Sequence, residues 1–275
     1  MTPLRLVASD IDGTLVDAQG DLAPETVRVL QALLAREIPV VLVTGLNPWP
    51  AMRYVREIDT RVRAICLNGI FLVEDGHLIE GEFLAPALVE RAVAAILAAG
   101  ATPLVYGEDG ISRYLPTPEG MTVLEPLIMA RPYQPFDLVH SEAELLAVRP
   151  AQVSICETPE RGAALYPQLE AALGAEAYVV YQPGSERTWV EVNHRNARKD
   201  VALLALAARL GVAPAEVLYF GDSLNDLPVF ERVPHAVAMS NGREEIKERA
   251  WRIAPANDEA GVAQMLCALF DVPEA

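Results

Sequence analysis

Short apolar runs alternate with helical patterns from the start of the chain. Residues 4–9, 39–44 and 64–67 are short, apolar segments, which predict buried strands. The segments between them, 24–36 and 50–58, carry apolar side chains at helical spacing. The order strand, helix, strand, helix, strand predicts a parallel sheet, because crossover helices join parallel strands.

The hydrophobic pattern changes in the middle of the chain and then returns. Around Asp75 and Gly76 it predicts a hairpin, and a smaller set of mixed strands and helices follows. From Lys199 onward the first alternation of strands and helices resumes. We therefore expect an α/β fold in which a doubly wound, Rossmann-like parallel sheet is interrupted by a smaller α/β cap domain. The predicted domains are 1–83 with 191–275 for the core and 84–190 for the cap.

Polar residues stand where the predicted core strands end. Asp10 and Asp12 follow the first strand, Thr44 ends the second, and Asn68 follows the third. A later strand runs into "GDSLND" at residues 221–226. Ligands of open α/β sheets bind outside the carboxyl ends of the strands. The sequence therefore predicts one crevice at which these side chains converge.

The composition limits the partners and the cellular compartment that we expect for this protein. The chain has 38 acidic and 22 basic residues and a net charge of −16, which repels a polyanion and disfavours nucleic acid as a partner. Its three cysteines are too widely spaced for a disulfide framework or a zinc cluster, which favours a reducing cytoplasm. No uninterrupted apolar stretch approaches the roughly 18 residues of a membrane span, so we expect no membrane partner. The cysteines are Cys66, Cys156 and Cys267.

The acidic residues at the strand ends favour a bound cation. Asp10, Asp12, Asp222 and Asp226 are expected to share a small space, and two unit charges about 4 Å apart repel by about 4 kcal/mol near a protein surface. A divalent cation would relieve that repulsion. A few carboxylate oxygens, with water completing the coordination shell, favour Mg²⁺.

Thr44, Gly45 and Lys199 offer groups that suit a phosphate. The first two provide a hydroxyl and accessible backbone N–H groups, and the lysine adds a compact positive charge. A carboxylate can attack phosphorus and form an aspartyl-phosphate when a metal and a lysine neutralise the incoming dianion. The residues therefore favour phosphoryl transfer.

In chain order, residues 10–14, residues 44–45, Lys199 and residues 221–226 resemble the four motifs of the haloacid dehalogenase superfamily. The insertion between the second and third motifs resembles the type-B (C2B) cap of the Cof-like sugar phosphatases, and Asn68 with the following glycine fits that group too. The resemblance implies a phosphatase that acts on phosphoric monoesters and whose cap selects the leaving group.

The resemblance also implies roles for single residues. Asp10 would be the nucleophile, and Asp12 would be the general acid and then the general base. Mg²⁺ would be held by the Asp10 carboxylate, the Asp12 backbone carbonyl and Asp222. Asp226 would support these ligands through water or through hydrogen bonds to them. The phosphoryl oxygens would be held by Thr44, Gly45, Lys199 and Asn225.

Two segments depart from the family pattern. The arginine that often follows Thr-Gly in the family is Leu46 here. The glycine-rich approach to the lysine is replaced by "HRNARKD", which adds Arg195 and Arg198 to its neighbourhood. Both departures bear on substrate choice more than on chemistry. The candidate substrate contacts of the cap are Arg113, Arg131 and Arg187.

Alternative functions stay open at this point. A phosphosugar mutase of the same superfamily would show the same motifs, and a non-catalytic sensor is disfavoured because all the acids are present. A GDSL-type serine esterase would use Ser223, with His235 as a partner, although that family carries its motif near the start. Asn68 and Gly69 could form a hairpin turn or line the substrate. We expect a small phosphorylated metabolite as the substrate, with a sugar phosphate favoured.

Overall fold

The computed structural model describes residues 3–130 and 135–273. The chain divides into two compact units. Met1–Glu80 and Arg198–Ala275 form the first, which we call the core unit, and Gly81–Ala197 forms the second, which we call the inserted unit.

The predicted domain boundaries differ from these units by a few residues. The division predicted after residue 83 lies three residues from the one after Glu80, and that after residue 190 lies seven residues from the one after Ala197. Strand Thr188–His194 pairs along its whole length with two strands of the inserted unit. A boundary after residue 190 would divide this strand.

Strands and helices alternate along most of the described chain. The strands are Leu6–Ser9 (β1), Val40–Val43 (β2), Arg63–Cys66 (β3), Phe71–Glu74 (β4), His77–Gly81 (β5), Leu104–Gly107 (β6), Ser112–Tyr114 (β7), Phe136–Leu138 (β8), Pro150–Glu157 (β9), Ala177–Gln182 (β10), Thr188–His194 (β11), Val217–Gly221 (β12), His235–Met239 (β13) and Arg252–Ala254 (β14). The helices are Pro24–Ala35 (α1), Pro48–Ile58 (α2), Pro86–Ala98 (α3), Pro118–Ala130 (α4), Glu142–Leu145 (α5), Pro159–Leu173 (α6), Lys199–Arg209 (α7), Leu227–Phe230 (α8), Glu244–Lys247 (α9) and Gly261–Phe270 (α10). Across the described residues, none of these helices combines the length and the apolar character that crossing a membrane requires.

The core unit is built on an eight-stranded sheet in the order β14-β13-β12-β1-β2-β3-β4-β5. From β14 to β3 the strands are parallel, as predicted. The chain starts in the middle of the sheet, extends to one side through β2 and β3, and later extends to the other side through β12. The direction of winding therefore reverses between β1 and β12, where ligands of open α/β sheets bind.

Both faces of the central strands are covered. Leu6 and Ala8 of β1 pack in a cluster with apolar side chains of α7, α8 and α9. Val7 points to the opposite face, because side chains alternate along a strand, and it is also fully buried. Helix α1 contacts β2 and packs against α2 and α10. Burial on both sides explains why these strands are apolar throughout.

The inserted unit holds a six-stranded sheet in the order β10-β11-β9-β6-β7-β8. Its described pairs are antiparallel except for β7 with β8. Helices α3 and α6 pack against each other and against β9, and they bury Val153 and Ile155. Leu124 and Leu127 of α4 pack with Leu104 and Cys156 in a separate cluster.

The predicted hairpin around Asp75 and Gly76 is present, and helices α4 and α5 were not predicted. Asp75 and Gly76 join β4 to β5 with positive φ angles of 48° and 76°, the backbone shape of a tight hairpin turn. Helix α4 begins at Pro118, where a missing N–H costs nothing, and it contains Pro126. This proline-rich segment lacks the usual sequence pattern of a helix.

Candidate active site

The loop after β1 places Asp10 beside the neighbouring strand β12. Its backbone N–H donates to the carbonyl of Phe220 on β12 at 2.9 Å, and its side chain is 7% exposed, whereas Asp12 is exposed. The loop then turns back on itself, because the N–H groups of Thr14 and Leu15 donate to the carbonyl of Ile11. The turn therefore separates a buried carboxylate from an accessible one.

Gly13 lets this loop approach the loop after β12. Its φ angle is +76°, and an added Cβ would lie 2.5 Å from Oδ2 of Asp222. The Thr14 hydroxyl donates to Oδ1 of the same carboxylate at 3.0 Å. Asn241, just after β13, donates its side-chain N–H to the Gly13 carbonyl at 2.8 Å. Close backbone approach therefore holds Asp222 beside the Asp10 loop.

Asp226 is fully buried behind Asp222 and organises the loop at residues 221–226. Its Oδ2 accepts the backbone N–H groups of Asp222 and Ser223, each at 3.0 Å. Its Oδ1 accepts from the hydroxyl of Tyr219 at 2.6 Å and from Nζ of Lys199 at 2.7 Å. Both oxygens of Asp226 therefore already accept two hydrogen bonds each.

Lys199 links the two acidic loops. It begins α7, its side chain is fully buried, and its Nζ lies 3.0 Å from Oδ1 of Asp10 as well as 2.7 Å from Oδ1 of Asp226. Burial alone would lower its pKa, but Asp10 and Asp226 outweigh burial and raise it. The lysine is therefore a fixed positive charge between two carboxylates.

The negative charge nevertheless exceeds the positive charge here. Burial raises the pKa of Asp10 well above its ordinary value, Lys199 opposes that shift, and Asp226 and Asp222 add to it. Burial and then Asp226 raise the pKa of Asp222 to about 6, against the lowering by its hydrogen bond from Thr14. Each raised pKa shows that a further negative charge is unfavourable at this site. A cation would reverse that effect.

The donor set fits a hard divalent cation. Asp10, Asp222 and Asp226 each offer a carboxylate oxygen, and these oxygens all lie within 4.8 Å of one another. Asp226 is committed to four hydrogen bonds, so Asp10 and Asp222 are the carboxylates available as ligands. Oxygen ligands at this separation suit Mg²⁺ or a similar ion.

Asn68 connects the ends of β2 and β3 to the loop at residues 221–226. The Thr44 hydroxyl accepts the N–H of Leu46 at 3.0 Å, and its carbonyl accepts the N–H of Asn68 at 2.9 Å. Oδ1 of Asn68 then accepts from the side-chain nitrogen of Asn225 at 3.1 Å. Asn225 Oδ1 is buried without a hydrogen-bond partner. Gly45, next to Thr44, is half-buried.

Asn68 thus does more than turn the chain. It lies in the connection between the antiparallel strands β3 and β4, with a positive φ of 55°. Gly69 is needed beside it, because an added Cβ would lie 2.7 Å from the backbone oxygen of Arg198. The turn therefore orients Asn225 and packs against the segment that leads into Lys199.

Most of the arginines considered from the sequence are engaged elsewhere. Arg198 donates both ends of its guanidinium to the buried Asp200, at 3.0 and 3.2 Å, and Arg113 binds both oxygens of Asp109. Arg187 lies 3.8 Å from Glu186. The two that remain are Arg195, which is exposed in the inserted unit, and Arg131, which lies outside the described residues.

The esterase alternative fails on the position of His235. This residue begins β13 and pairs in register with Leu218, whereas Ser223 lies beyond the carboxyl end of β12. The three residue steps along β12 from Leu218 to Gly221 already span about 10 Å. The imidazole instead packs edge-on against Trp251. Ser223 and His235 therefore do not form a nucleophile and base.

The chain is similar to known proteins along most of its length. Residues 7–266 match a family model described as haloacid dehalogenase-like hydrolase. The chain is 27% identical to the HMP-PP phosphatase of Serratia proteamaculans, with 88% of this chain and 86% of the relative covered. It is 25% identical to the phosphatase YwpJ of Bacillus subtilis, with 96% and 99% covered. The structure of SMU.1108c from Streptococcus mutans shares the fold, with a TM-score of 0.84, 19% identity, and 98% and 100% covered.

Proposed function

The chain belongs to the haloacid dehalogenase-like hydrolases and acts on phosphate esters, and from this we propose a Mg²⁺-dependent phosphatase that uses Asp10 as its nucleophile. The proposed substrate is a small phosphomonoester, with a sugar phosphate favoured. One observation carries the proposal: the buried carboxylate of Asp10 is held by Lys199 at 3.0 Å beside the two further acids of one loop.

The ligands of the ion would be the Asp10 carboxylate, the Asp12 backbone carbonyl and Asp222, with Asp226 behind them. When bound, Mg²⁺ would supply positive charge that keeps these carboxylates ionised and offsets the charge of a phosphate. Asp226 accepts four hydrogen bonds and so holds the backbone of the Asp222 loop and the ammonium of Lys199. Asp226 therefore contributes by holding these groups of the site in place.

The proposed reaction has two steps at Asp10. A carboxylate oxygen of Asp10 forms a bond to phosphorus while the ester P–O bond breaks, and Asp12 donates a proton to the departing alkoxide. Asp12 then takes a proton from a water molecule, which attacks phosphorus, and phosphate leaves with the Asp10 carboxylate restored. An exposed Asp12 two residues after a buried nucleophile suits this exchange of protons with solvent and leaving group.

The phosphoryl oxygens would be held by Lys199, the Thr44 hydroxyl, the Gly45 backbone and Asn225. Lys199 supports this role because it is buried and fixed, so its charge is screened much less than that of an exposed lysine. Asn225 supports it because Asn68 fixes the orientation of its amide. Charge that develops on the transferring phosphoryl group would meet donors already in place.

The test is phosphate release from a panel of sugar phosphates and of the HMP-PP compound in the relative's name, with Mg²⁺ present. We expect release by the wild type and none by Asp10→Asn, with no isomerised sugar phosphate in the same samples. Isomerisation of a sugar phosphate without release of phosphate would indicate a mutase instead of a phosphatase. Equal phosphate release by the wild type and by Asp10→Asn would show that Asp10 is not the nucleophile.

A further inference from the structure

Tyr219 reaches the same carboxylate oxygen as Lys199. It lies on β12, is fully buried, and packs its ring edge-on against Phe230 with 6.0 Å between ring centroids. Its hydroxyl donates to Oδ1 of Asp226 at 2.6 Å, next to Nζ of Lys199 at 2.7 Å. Burial and then Asp226 raise the pKa of Tyr219 well above its usual range, so the hydroxyl keeps the proton that it donates.

Two carboxylates compete for the ammonium of Lys199. It lies 2.7 Å from Oδ1 of Asp226 and 3.0 Å from Oδ1 of Asp10, so the acid at the back of the site holds it more closely. A carboxylate oxygen that already accepts a hydrogen bond attracts a further donor less strongly than a bare one. The Tyr219 hydroxyl therefore weakens the hold of Asp226 on the lysine.

We propose that Tyr219 is a positioning residue, which shares Oδ1 of Asp226 so that the Lys199 ammonium stays extended to Asp10. Its effect on turnover rests on the proposed function, in which Asp10 is the nucleophile and Lys199 neutralises the phosphoryl group. Its effect on the position of Lys199 does not, because that position can be measured without a substrate.

The first test is Tyr219→Phe, which removes the hydroxyl and keeps the ring. The loss of one hydrogen bond to a charged group is expected to lower kcat about tenfold. KM should stay within about twofold, because the charge of Lys199 matters most when charge develops during transfer. The variant should also melt at a lower temperature, so activity is measured well below its Tm.

The matched control is Phe230→Leu, which disturbs the packing of the Tyr219 ring and leaves its hydroxyl in place. This variant should lose thermal stability like Tyr219→Phe but keep kcat within about twofold of wild type. If kcat falls alike in both variants, or stays within twofold of wild type in Tyr219→Phe, Tyr219 serves only packing and the inference is overturned.

The second test is the crystal structure of Tyr219→Phe. We expect the distance from Nζ of Lys199 to Oδ1 of Asp10 to grow from 3.0 Å to beyond about 3.5 Å, with the contact to Asp226 retained. An unmoved lysine overturns the inference. If the wild type releases no phosphate from any substrate, the proposed function fails, and this distance alone decides the role of Tyr219.

Discussion

Buried carboxylates occur in both units, but their partners differ. In the inserted unit Glu157 is 1% exposed and accepts from Nε of Arg161, four residues later, at 2.8 Å. In the described part of the core unit, Asp10 and Asp226 both contact the ammonium of Lys199, and Asp222 lies beside them, although Asp10 is far from the other two acids in the chain. One acid meets one local base in the first case, and three acids are grouped with one base in the second.

The difference separates a structural charge from a functional one. A buried acid with its own base carries no net charge as a pair, whereas a surplus of buried acids leaves uncompensated charge that costs stability. Burial raises the pKa values of Asp10 and Asp222, and the neighbouring acids add to that shift. A fold retains such a cost where a ligand removes it, which supports a cation as a partner of this site.

Asp10→Asn should have the largest effect on activity. The amide is nearly the same size but is not a nucleophile, so phosphate release should fall below detection. Stability should not suffer, because the substitution removes one of three crowded charges, and the Tm of the Mg²⁺-free protein should equal or exceed that of wild type. Release assays and thermal unfolding measure both. A large loss of Tm would mean that the charge supports the fold.

Asp12→Ala should come next, with kcat lowered by about two to four orders of magnitude, the usual contribution of general acid and base catalysis. The side chain is exposed, so unfolding should be unchanged. Asp21→Ala, which removes another acid of the segment between β1 and α1 that is 64% exposed, is the control and should keep full activity. Equal activity of the two variants would exclude the proposed role of Asp12.

Arg161→Ala should affect stability and leave activity unchanged. It leaves Glu157 buried without its base, and we expect a loss of about 2–3 kcal/mol in the free energy of unfolding, measured by urea denaturation. Arg187→Ala, whose partner Glu186 is 84% exposed, is the matched control and should cost less than about 0.5 kcal/mol. A loss of kcat in Arg161→Ala, measured under native conditions, would contradict a purely structural role for this pair.

The smallest expected effect is a pH dependence of stability. The pKa of Asp222 is raised from 3.8 to about 6, so between these values the folded state holds a proton that the unfolded state has released. This carboxylate therefore destabilises the Mg²⁺-free fold as pH rises through that window. Asp222→Asn should melt a few degrees above wild type at pH 7 and close to it at pH 4. A difference that is independent of pH would contradict this assignment.

Much of the core unit could be predicted, because its strands are buried on both faces and its polar residues mark their ends. Asp10, Thr44 and Asn68 were predicted as site residues in this way, since each follows or ends an apolar run. The same rule would have found Asn241, which follows β13 and contacts Gly13. Tyr219 could not be predicted by this rule, because it lies within an apolar strand. The hydrophobic pattern does not show that its hydroxyl donates to Asp226.

The inserted unit was harder to predict. Its strands β7 and β8 have three residues each, too few for a periodic pattern, and α4 carries prolines at both Pro118 and Pro126. Tertiary packing of Leu124 and Leu127 compensates for the weak helix signal.

The proposed Mg²⁺ site among the acids of the core unit can be tested by calorimetric titration of the substrate-free protein with Mg²⁺. We expect one binding site in wild type and at least about tenfold weaker binding in Asp222→Asn, because a ligand charge is lost. Binding of equal strength in the two proteins, or no binding in wild type, would contradict the claim.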